Sequence, residues 1–412
     1  MHKLGRWLMP GLLLSGSAAA VALPIGYEEA LQQALREQPA VQAREAQIEA
    51  RRETVEAAAE LPDPRLSAGI MNLPVTGPQA FDPTGEMMTM LQIGVEQEIP
   101  NLGKRHAQTG VARADVNFAQ AQLAHAEHMV RLSAGQAWVA LAYAQRRLAL
   151  AEETLEELRE LVPVARSAVA SGSARPAQSL EIRRALLEIE DAWTTIDAER
   201  ETAQARLVRY VPSHEPVAEG TIPSAEIDPE HLRSTIEYNP ELLVAGAAVD
   251  QAEAAIDLAR ADKRPDFGVS VSYGVRDRDY GDMVSIMGSV TLPLFAGRRQ
   301  DPRIRAAQAE AAAAAAERQD RLRELEAQFE ADLAAWRGAH RQWQRARDEL
   351  LPLARDRANL ETASFAAGRA ELTDVIEAKT ALALLELHIL GREQATVEAA
   401  TTLRLTYTEH TR

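Results

Sequence analysis

The sequence predicts a mainly α-helical protein with a small β part, in which long coiled-coil hairpins occur in two internal repeats. Two segments of alternating apolar and polar residues, at 89–99 and 284–292, each run into a Pro and Gly cluster and then a long helix-forming region. Both long regions carry apolar residues at heptad spacing. Only 4% of the residues are aromatic and the net charge is -16, which favours long solvated helices over a compact aromatic core.

Residues 1–22 have the features of a secretory signal peptide. Lys3 and Arg6 precede an apolar run over Trp7–Leu14, and the small residues Ala20–Ala22 suit a cleavage site. The run is too short to span a membrane. The chain contains no cysteine, so neither a disulfide nor a lipid-bearing cysteine is available. We therefore expect an exported protein without a lipid anchor, whose mature chain starts directly after this segment.

The first repeat is predicted to cover residues 23–211. Two helices separated at Pro39 lead to a strand pair at about 65–99. A helix of roughly 65 residues, about 100 Å long, follows from Lys104 to about Ala170, and a return helix ends near Val211. A coiled-coil seam along the long helix is formed by Leu141, Leu148, Leu155 and Val162.

The same order of elements is predicted again over residues 229–412, after a Pro-containing linker at 212–228. Asn239-Pro240 repeats the position of Gln38-Pro39 relative to the strand pair, which here covers about 267–292. The second long helix ends near Ala367-Gly368-Arg369, and a shorter helix follows to about Leu405. Its predicted heptad seam consists of Leu322, Phe329, Trp336, Trp343 and Leu350.

The strand pairs have a further implication. No run of about eighteen apolar residues follows the signal segment, so a bilayer-spanning form of this chain would use its strands. Strands in lipid must close into a barrel, and about four strands per chain are too few. Three copies would supply about twelve, with the helices forming a water-filled tube below. Such a tube indicates conduction rather than catalysis.

The order and duplication of several short motifs resemble the TolC family of outer-membrane efflux channels over essentially the whole mature chain. The strand-to-helix joints Pro100-Asn101-Leu102-Gly103-Lys104-Arg105 and Pro293-Leu294-Phe295-Ala296-Gly297-Arg298-Arg299 belong to this set. The other motifs are Ala34-Leu35-Arg36-Glu37-Gln38-Pro39, Asn239-Pro240-Glu241-Leu242, and Ala367-Gly368-Arg369 followed by Leu372-Thr373-Asp374-Val375. Within the family, Asp63-Pro64-Arg65-Leu66, Gly69 to Pro74 and Met88-Thr89-Met90 resemble the branch serving heavy-metal cation efflux.

The resemblance implies a homotrimer with a twelve-stranded transmembrane β-barrel in the outer membrane of a Gram-negative-type cell and an α-helical tunnel in the periplasm. Its implied partners are outer-membrane lipid, a periplasmic adaptor (membrane fusion) protein and an inner-membrane pump of the RND type. Nucleic acid is not expected as a partner of so acidic a chain. No cofactor is implied.

Two groups of site residues follow from the resemblance. The turns around Ser171, Gly172 and Ser173 and around Ala367, Gly368 and Arg369 are where relatives meet the adaptor, although glycines at helix ends also simply reverse a chain. Asp374 and Glu377 match the acidic residues that ring the closed aperture in relatives. Three copies of each would attract cations, whereas the alternative is a solvated helix face.

Other candidates are interpreted structurally. His125 and His128 have a spacing that suits a metal, but a third ligand is not evident, so no metal site is predicted. The methionines in and beside the strands are expected to serve packing or lipid contact.

Three alternative functions remain open from the sequence. A multidrug channel and a type I secretion channel keep the fold, whereas a periplasmic coiled-coil adaptor or structural protein would not enter the bilayer. Sequence motifs of nucleotide binding, nucleophile elbows and zinc proteases are missing, so an enzyme is the least favoured class.

Overall fold

The computed structural model describes residues 23–171, 175, 177–212 and 215–407, so the predicted signal peptide lies outside the described residues. The strands are β1 (Leu23–Ile25), β2 (Arg65–Met71), β3 (Met90–Ile99), β4 (Pro216–Ala218), β5 (Asp266–Val275) and β6 (Met283–Thr291). The helices are α1 (Tyr27–Glu37), α2 (Pro39–Ala59), α3 (Leu102–Ala170), α4 (Gln178–Val208), α5 (Pro229–Ser234), α6 (Pro240–Ala261), α7 (Gln300–Arg345), α8 (Leu351–Ala366) and α9 (Leu372–Tyr407). The mainly helical fold with a small β part is confirmed.

The described chain forms two compact units, each of which draws on both halves of the sequence. The first, here called the helical unit, contains the residues up to Ala34, Ala134–Pro223 and Gln342–Glu398. The second, the sheet unit, contains Leu35–Ser133, Ser224–Arg341 and the residues from Ala399 onward. These units differ from the two predicted repeats, which follow the order of elements along the chain. The boundaries of the repeats stay a prediction.

The core of the helical unit lies where α3, α4 and α9 pack side by side. Leu155 and Leu158 of α3 pack with Ile182 and Ile189 of α4 and with Ile376 of α9. The residues of the predicted α3 seam are buried or half-buried, as coiled-coil packing requires. The parallel pair β1–β4 also belongs to this unit, and its second strand lies inside the segment predicted to be a linker.

The core of the sheet unit is formed by α5, α6, α7 and α9. Phe329 and Leu333 of α7 pack against Leu232 of α5, Leu242 of α6 and Tyr407 of α9. Phe329 and Tyr407 meet edge to face, with ring centroids 5.0 Å apart.

The prediction that Leu350 continues the second heptad seam is wrong, because this side chain is 42% exposed. Residues Ala346–Leu350 form one π-helical turn, and Ala346 is buried there. Pro352 lies two residues after this turn; it has no N–H to donate and its ring crowds the preceding turn. The wider turn accommodates the proline and shifts the phase of the helix, so the heptad register ends.

Strands β2, β3, β5 and β6 form an antiparallel sheet in that order, with β2 and β6 at its edges. Its register places Leu66, Val95, Val271 and Ile286 in one row across the sheet, and all four side chains are exposed. The neighbouring row, on the opposite face, consists of Ser67, Gly94, Ser272 and Ser285. The sheet therefore has one apolar face and one mixed face, where serines, glycines and charged residues lie beside Met71, Met90, Met283 and Met287.

Candidate functional site

The turn between α8 and α9 is a Schellman motif centred on Gly368. Gly368 has φ 67°, and its N–H donates to the Phe365 carbonyl at 2.9 Å. The N–H of Arg369 donates to the Ser364 carbonyl at 2.8 Å, which closes the larger ring of the motif. Ala367, Gly368 and Arg369 are all exposed. The predicted turn is confirmed, whereas its role in docking an adaptor stays a prediction.

A Gly368→Ala substitution is expected to lower the free energy of unfolding by about 1–2 kcal/mol, because a Cβ is strained in the left-handed region. The measurement is the midpoint of thermal unfolding, followed by circular dichroism of the purified protein. Gly391→Ala is the matched control, since Gly391 lies within α9 with open space around its Cα. The control should stabilise the protein by about 0.5–1 kcal/mol. Equal shifts of the same sign would contradict the assignment.

At the first predicted turn, α3 ends at Ala170 and the N–H of the exposed Ser171 donates to the Ser167 carbonyl at 2.9 Å. Gly172 and Ser173 lie outside the described residues. Arg175 is described and exposed, and its backbone N–H donates to the Gln178 side-chain oxygen at 2.9 Å.

Glu371 links the two turns of the helical unit. The Arg175 guanidinium donates to both Glu371 carboxylate oxygens, at 3.1 and 3.3 Å. The Gln178 amide donates to the same carboxylate at 2.6 Å. Sequence reasoning missed this contact, although a basic and an acidic residue beside the two turn glycines were visible. The partners lie 196 residues apart, and the sequence holds no signal for that pairing.

Asp374 and Glu377 occupy one exposed face of α9, while Val375 and Ile376 between them are buried. The structure thus brings the two predicted aperture residues to the same side of one helix. The Asp374 carboxylate accepts the N–H of Glu371 at 2.9 Å, just before the first residue of α9. This contact stabilises the helix N-terminus, so Asp374 has a structural role whether or not it also faces a pore.

A groove of about 530 Å³ opens between α3, α8 and α9 within the helical unit. Leu158, Leu351 and Leu382 contribute apolar surface. An ion pair of 2.9 Å between Arg355 and Glu386 lies at this groove. A surface of this kind, apolar with charged residues beside it, suits a partner helix.

The junction of β3 and α3 is held by a polar cluster in the sheet unit. The Asn101 side-chain oxygen accepts the Lys104 N–H at 2.8 Å and so caps α3. The Lys104 ammonium lies 3.1 Å from Asp262 and 3.2 Å from Asp266. Burial disfavours the ammonium, but the two carboxylates outweigh it and raise the pKa of Lys104.

The two histidines of α3 lie beside each other in the structure. The rings of His125 and His128 stack with centroids 6.4 Å apart, and His128 is buried. Among the residues that the structure describes, no group of three or more potential His, Cys, Asp or Glu ligands could hold a metal ion. None of the helices within the described ranges is long and apolar enough to cross a membrane.

The antiparallel sheet with its exposed apolar face leads through short junctions into helices of 69 and 46 residues. The chain belongs to the outer membrane efflux protein family, whose sequence profile matches residues 30–211 and 232–407. This membership confirms the resemblance stated above, and it decides against the periplasmic adaptor alternative. Proteins of this family transport substrates rather than transform them.

The cobalt-zinc-cadmium resistance protein CzcC of Cupriavidus metallidurans is similar in sequence. It is 26% identical over 310 residues, which cover 73% of each chain. This likeness supports the resemblance to the heavy-metal branch of the family.

Solved structures share the fold. A membrane protein from Pseudomonas aeruginosa gives a TM-score of 0.77 at 18% identity, covering 92% of this chain and 90% of that one. The structure of CusC gives a TM-score of 0.72 at 14% identity, and the match covers 92% of this chain and 91% of CusC. The structure of VceC from Vibrio cholerae gives a TM-score of 0.71 at 16% identity, and the match covers 92% of this chain and 95% of VceC. These likenesses extend over nearly the whole described chain.

Proposed function

We propose that this chain forms the exit duct of a tripartite efflux pump in the outer membrane, and that the duct passively conducts heavy-metal cations. The observation that carries the proposal is the two-faced sheet within a member of the outer membrane efflux family. Its apolar face suits lipid, and the opposite face, which holds the polar side chains of Ser272, Gln92 and Glu96 among others, suits a water-filled lumen.

The two edge strands support a trimer. Strands β2 and β6 each present an edge of backbone N–H and C=O groups, and in lipid such groups require partners. Neighbouring copies of the chain would supply them, and three copies give a barrel of about twelve strands, within the range known for membrane barrels. Gly94 allows close packing between the strands on the opposite face, because a Cβ there would lie 3.0 Å from the Ser272 Cβ on the adjacent strand.

The helices form the periplasmic part in this proposal. The turns at Ser171–Ser173 and Ala367–Arg369 are the docking points for a periplasmic adaptor, which connects the duct to an inner-membrane pump of the RND type. The groove lined by Leu158, Leu351 and Leu382 lies on the same unit and offers an adaptor helix apolar surface.

The cargo assignment rests on the similarity to CzcC, whose name describes resistance to cobalt, zinc and cadmium. Exposed Asp374 and Glu377, present three times in a trimer, would favour cations at the aperture. A multidrug or type I secretion channel is the second candidate. A deletion strain should become sensitive to cobalt, zinc and cadmium salts, whereas sensitivity to dyes alone would remove the metal assignment.

The duct itself is tested by inserting the detergent-purified protein into planar bilayers and measuring its oligomer mass. Trimer-sized particles with cation-selective conductance are expected. Asp374→Asn with Glu377→Gln should reduce the preference for cations several-fold, because the charge of the ring is removed while Asn keeps an oxygen for the Glu371 N–H.

The control for this variant is Asp320→Asn with Glu326→Gln, which removes two exposed charges from α7. It should leave the ion preference unchanged. A monomer without conductance contradicts the duct, and an unchanged ion preference in the Asp374 and Glu377 variant contradicts the acidic ring.

A further inference from the structure

The junction between β6 and α7 carries exposed apolar and basic side chains that no other described part of the chain covers. We call it the junction patch. Its apolar members are Leu292, Leu294 and Phe295, and its basic members are Arg298, Arg299, Arg303 and Arg305. Leu294 is 78% and Phe295 75% exposed, and all four arginines are exposed as well.

The patch concentrates positive charge in a chain whose net charge is -16. Asp301 is the acidic residue between the arginines, and it forms an ion pair with Lys263. Within the part of the chain that the structure describes, none of the four arginines forms an ion pair. The positive charge of the patch therefore faces outward.

The corresponding junction of β3 and α3 uses its basic residues differently. Lys104 forms ion pairs with Asp262 and Asp266, and Arg105 donates to the Ala59 carbonyl at 2.7 Å. Both cations there stabilise the sheet unit itself. Arg298 and Arg299 occupy the same two positions after the second strand pair. Within the described residues, neither forms an ion pair of the kind that Lys104 makes.

Helix stability does not explain the arginines either. Helix α7 begins at Gln300, so Arg298 and Arg299 precede it and Arg303 lies in its first turns. The N-terminus of a helix carries a partial positive charge, which makes cations unfavourable there. An external anionic partner would offset that cost.

The apolar part of the patch continues the apolar face of the sheet. Val290 pairs with Phe267, which pairs with Ile99, and all three side chains are exposed on that face. Leu292 follows Val290 at the period of the strand, and Leu294 and Phe295 extend the apolar surface beyond the last paired residue. The sheet thus ends in apolar side chains followed by arginines, which is the order found at a membrane surface.

From this arrangement we propose that the junction patch binds anionic phospholipids at the periplasmic surface of the outer membrane. Leu294 and Phe295 enter the boundary of the acyl chains, and the arginines bind lipid phosphates by charge-assisted hydrogen bonds. The proposal rests on the proposed position of the sheet in that membrane. Its function is to fix the depth of the barrel at the point where the helices begin.

The test uses full-length protein in a nonionic detergent, titrated with dioleoylphosphatidylglycerol or with dioleoylphosphatidylcholine. Bound lipid is counted by native mass spectrometry, which also reports the oligomer. The wild type should prefer phosphatidylglycerol. Arg298→Gln with Arg299→Gln should weaken that binding roughly 25-fold, since each cation near an anionic surface contributes about a fivefold change in affinity. Binding of phosphatidylcholine should change little.

The matched control is Arg323→Gln with Arg337→Gln, which removes two exposed arginines from the same helix α7. It should bind phosphatidylglycerol like the wild type. Leu294→Ser with Phe295→Ser should weaken the binding of phosphatidylglycerol and of phosphatidylcholine equally, because it removes apolar contact and keeps the charge.

Three results would overturn the proposal: wild-type affinity in the Arg298 and Arg299 variant, an equal loss in the control, and displacement of the lipid by millimolar inorganic phosphate. If the variant keeps wild-type affinity and its oligomer dissociates, the arginines belong to a contact with a neighbouring copy. Conductance separates this proposal from the duct: a conducting variant with unaltered lipid binding contradicts only the patch, whereas a wild type without conductance contradicts the duct.

Discussion

Replacing Phe329 by alanine is expected to lower the free energy of unfolding by about 3–5 kcal/mol, the range observed when large aromatic side chains are removed from cores. Phe329 is 1% exposed at the centre of the sheet unit. Its ring meets Tyr407 edge to face, and the Arg233 guanidinium lies over it at 5.5 Å. The substitution removes both contacts and leaves a cavity among α5, α7 and α9.

The loss should be measured as the shift in thermal midpoint and in the urea midpoint of the detergent-solubilised protein. Leu360→Ala is the comparison, since Leu360 is an exposed residue of α8 and its removal creates no cavity. A shift within about 0.5 kcal/mol is expected for it. Similar destabilisation by the two substitutions would show that Phe329 is not part of a tightly packed core.

Much of this fold could be predicted because its elements are long and strongly patterned. A helix of 69 residues offers many heptad positions, which makes it easy to recognise. Its predicted start, Lys104, lies two residues from the observed start at Leu102, and its predicted end at about Ala170 agrees with the structure. The strands were recognised from their period of two, and Pro100 marks where the first pair ends. Each of these signals lies within a short stretch of sequence, and the tertiary contacts of the fold leave the predicted helix or strand unchanged.

Features that depend on distant parts of the chain could not be predicted. The three-residue strand β4 pairs with β1, and both are too short for a recognisable alternation. The heptad seam ends before Leu350 because of the way the helix accommodates Pro352. From the sequence alone, a kink, a break and a π-helical turn are equally compatible with that proline. For the candidate site, the sequence indicated the turn at Gly368 but not the partner of Glu371 on the other turn.

That partner makes Glu371 the residue whose removal should most affect conduction. Glu371→Ala deletes the ion pair with Arg175 and the hydrogen bond from Gln178, and so frees the two turns of one chain from each other. Both side chains of the pair are more than half exposed, so each copy contributes only about 0.2–1 kcal/mol. In the proposed trimer the three copies act on one aperture, and their sum of roughly 0.6–3 kcal/mol would change the ratio of closed to open channels by about 3- to 150-fold.

Single-channel recording in planar bilayers measures this ratio directly, and the variant should spend more time in the higher-conductance state. Exchanging the charges, with Arg175→Glu and Glu371→Arg, should return the open fraction towards the wild type, because the ion pair is restored in reverse. Glu361→Ala is the control, as Glu361 lies on α8 outside the link. If the exchange variant stays as open as Glu371→Ala, the effect comes from the turn at Gly368 alone and the link between the two turns does not hold the aperture.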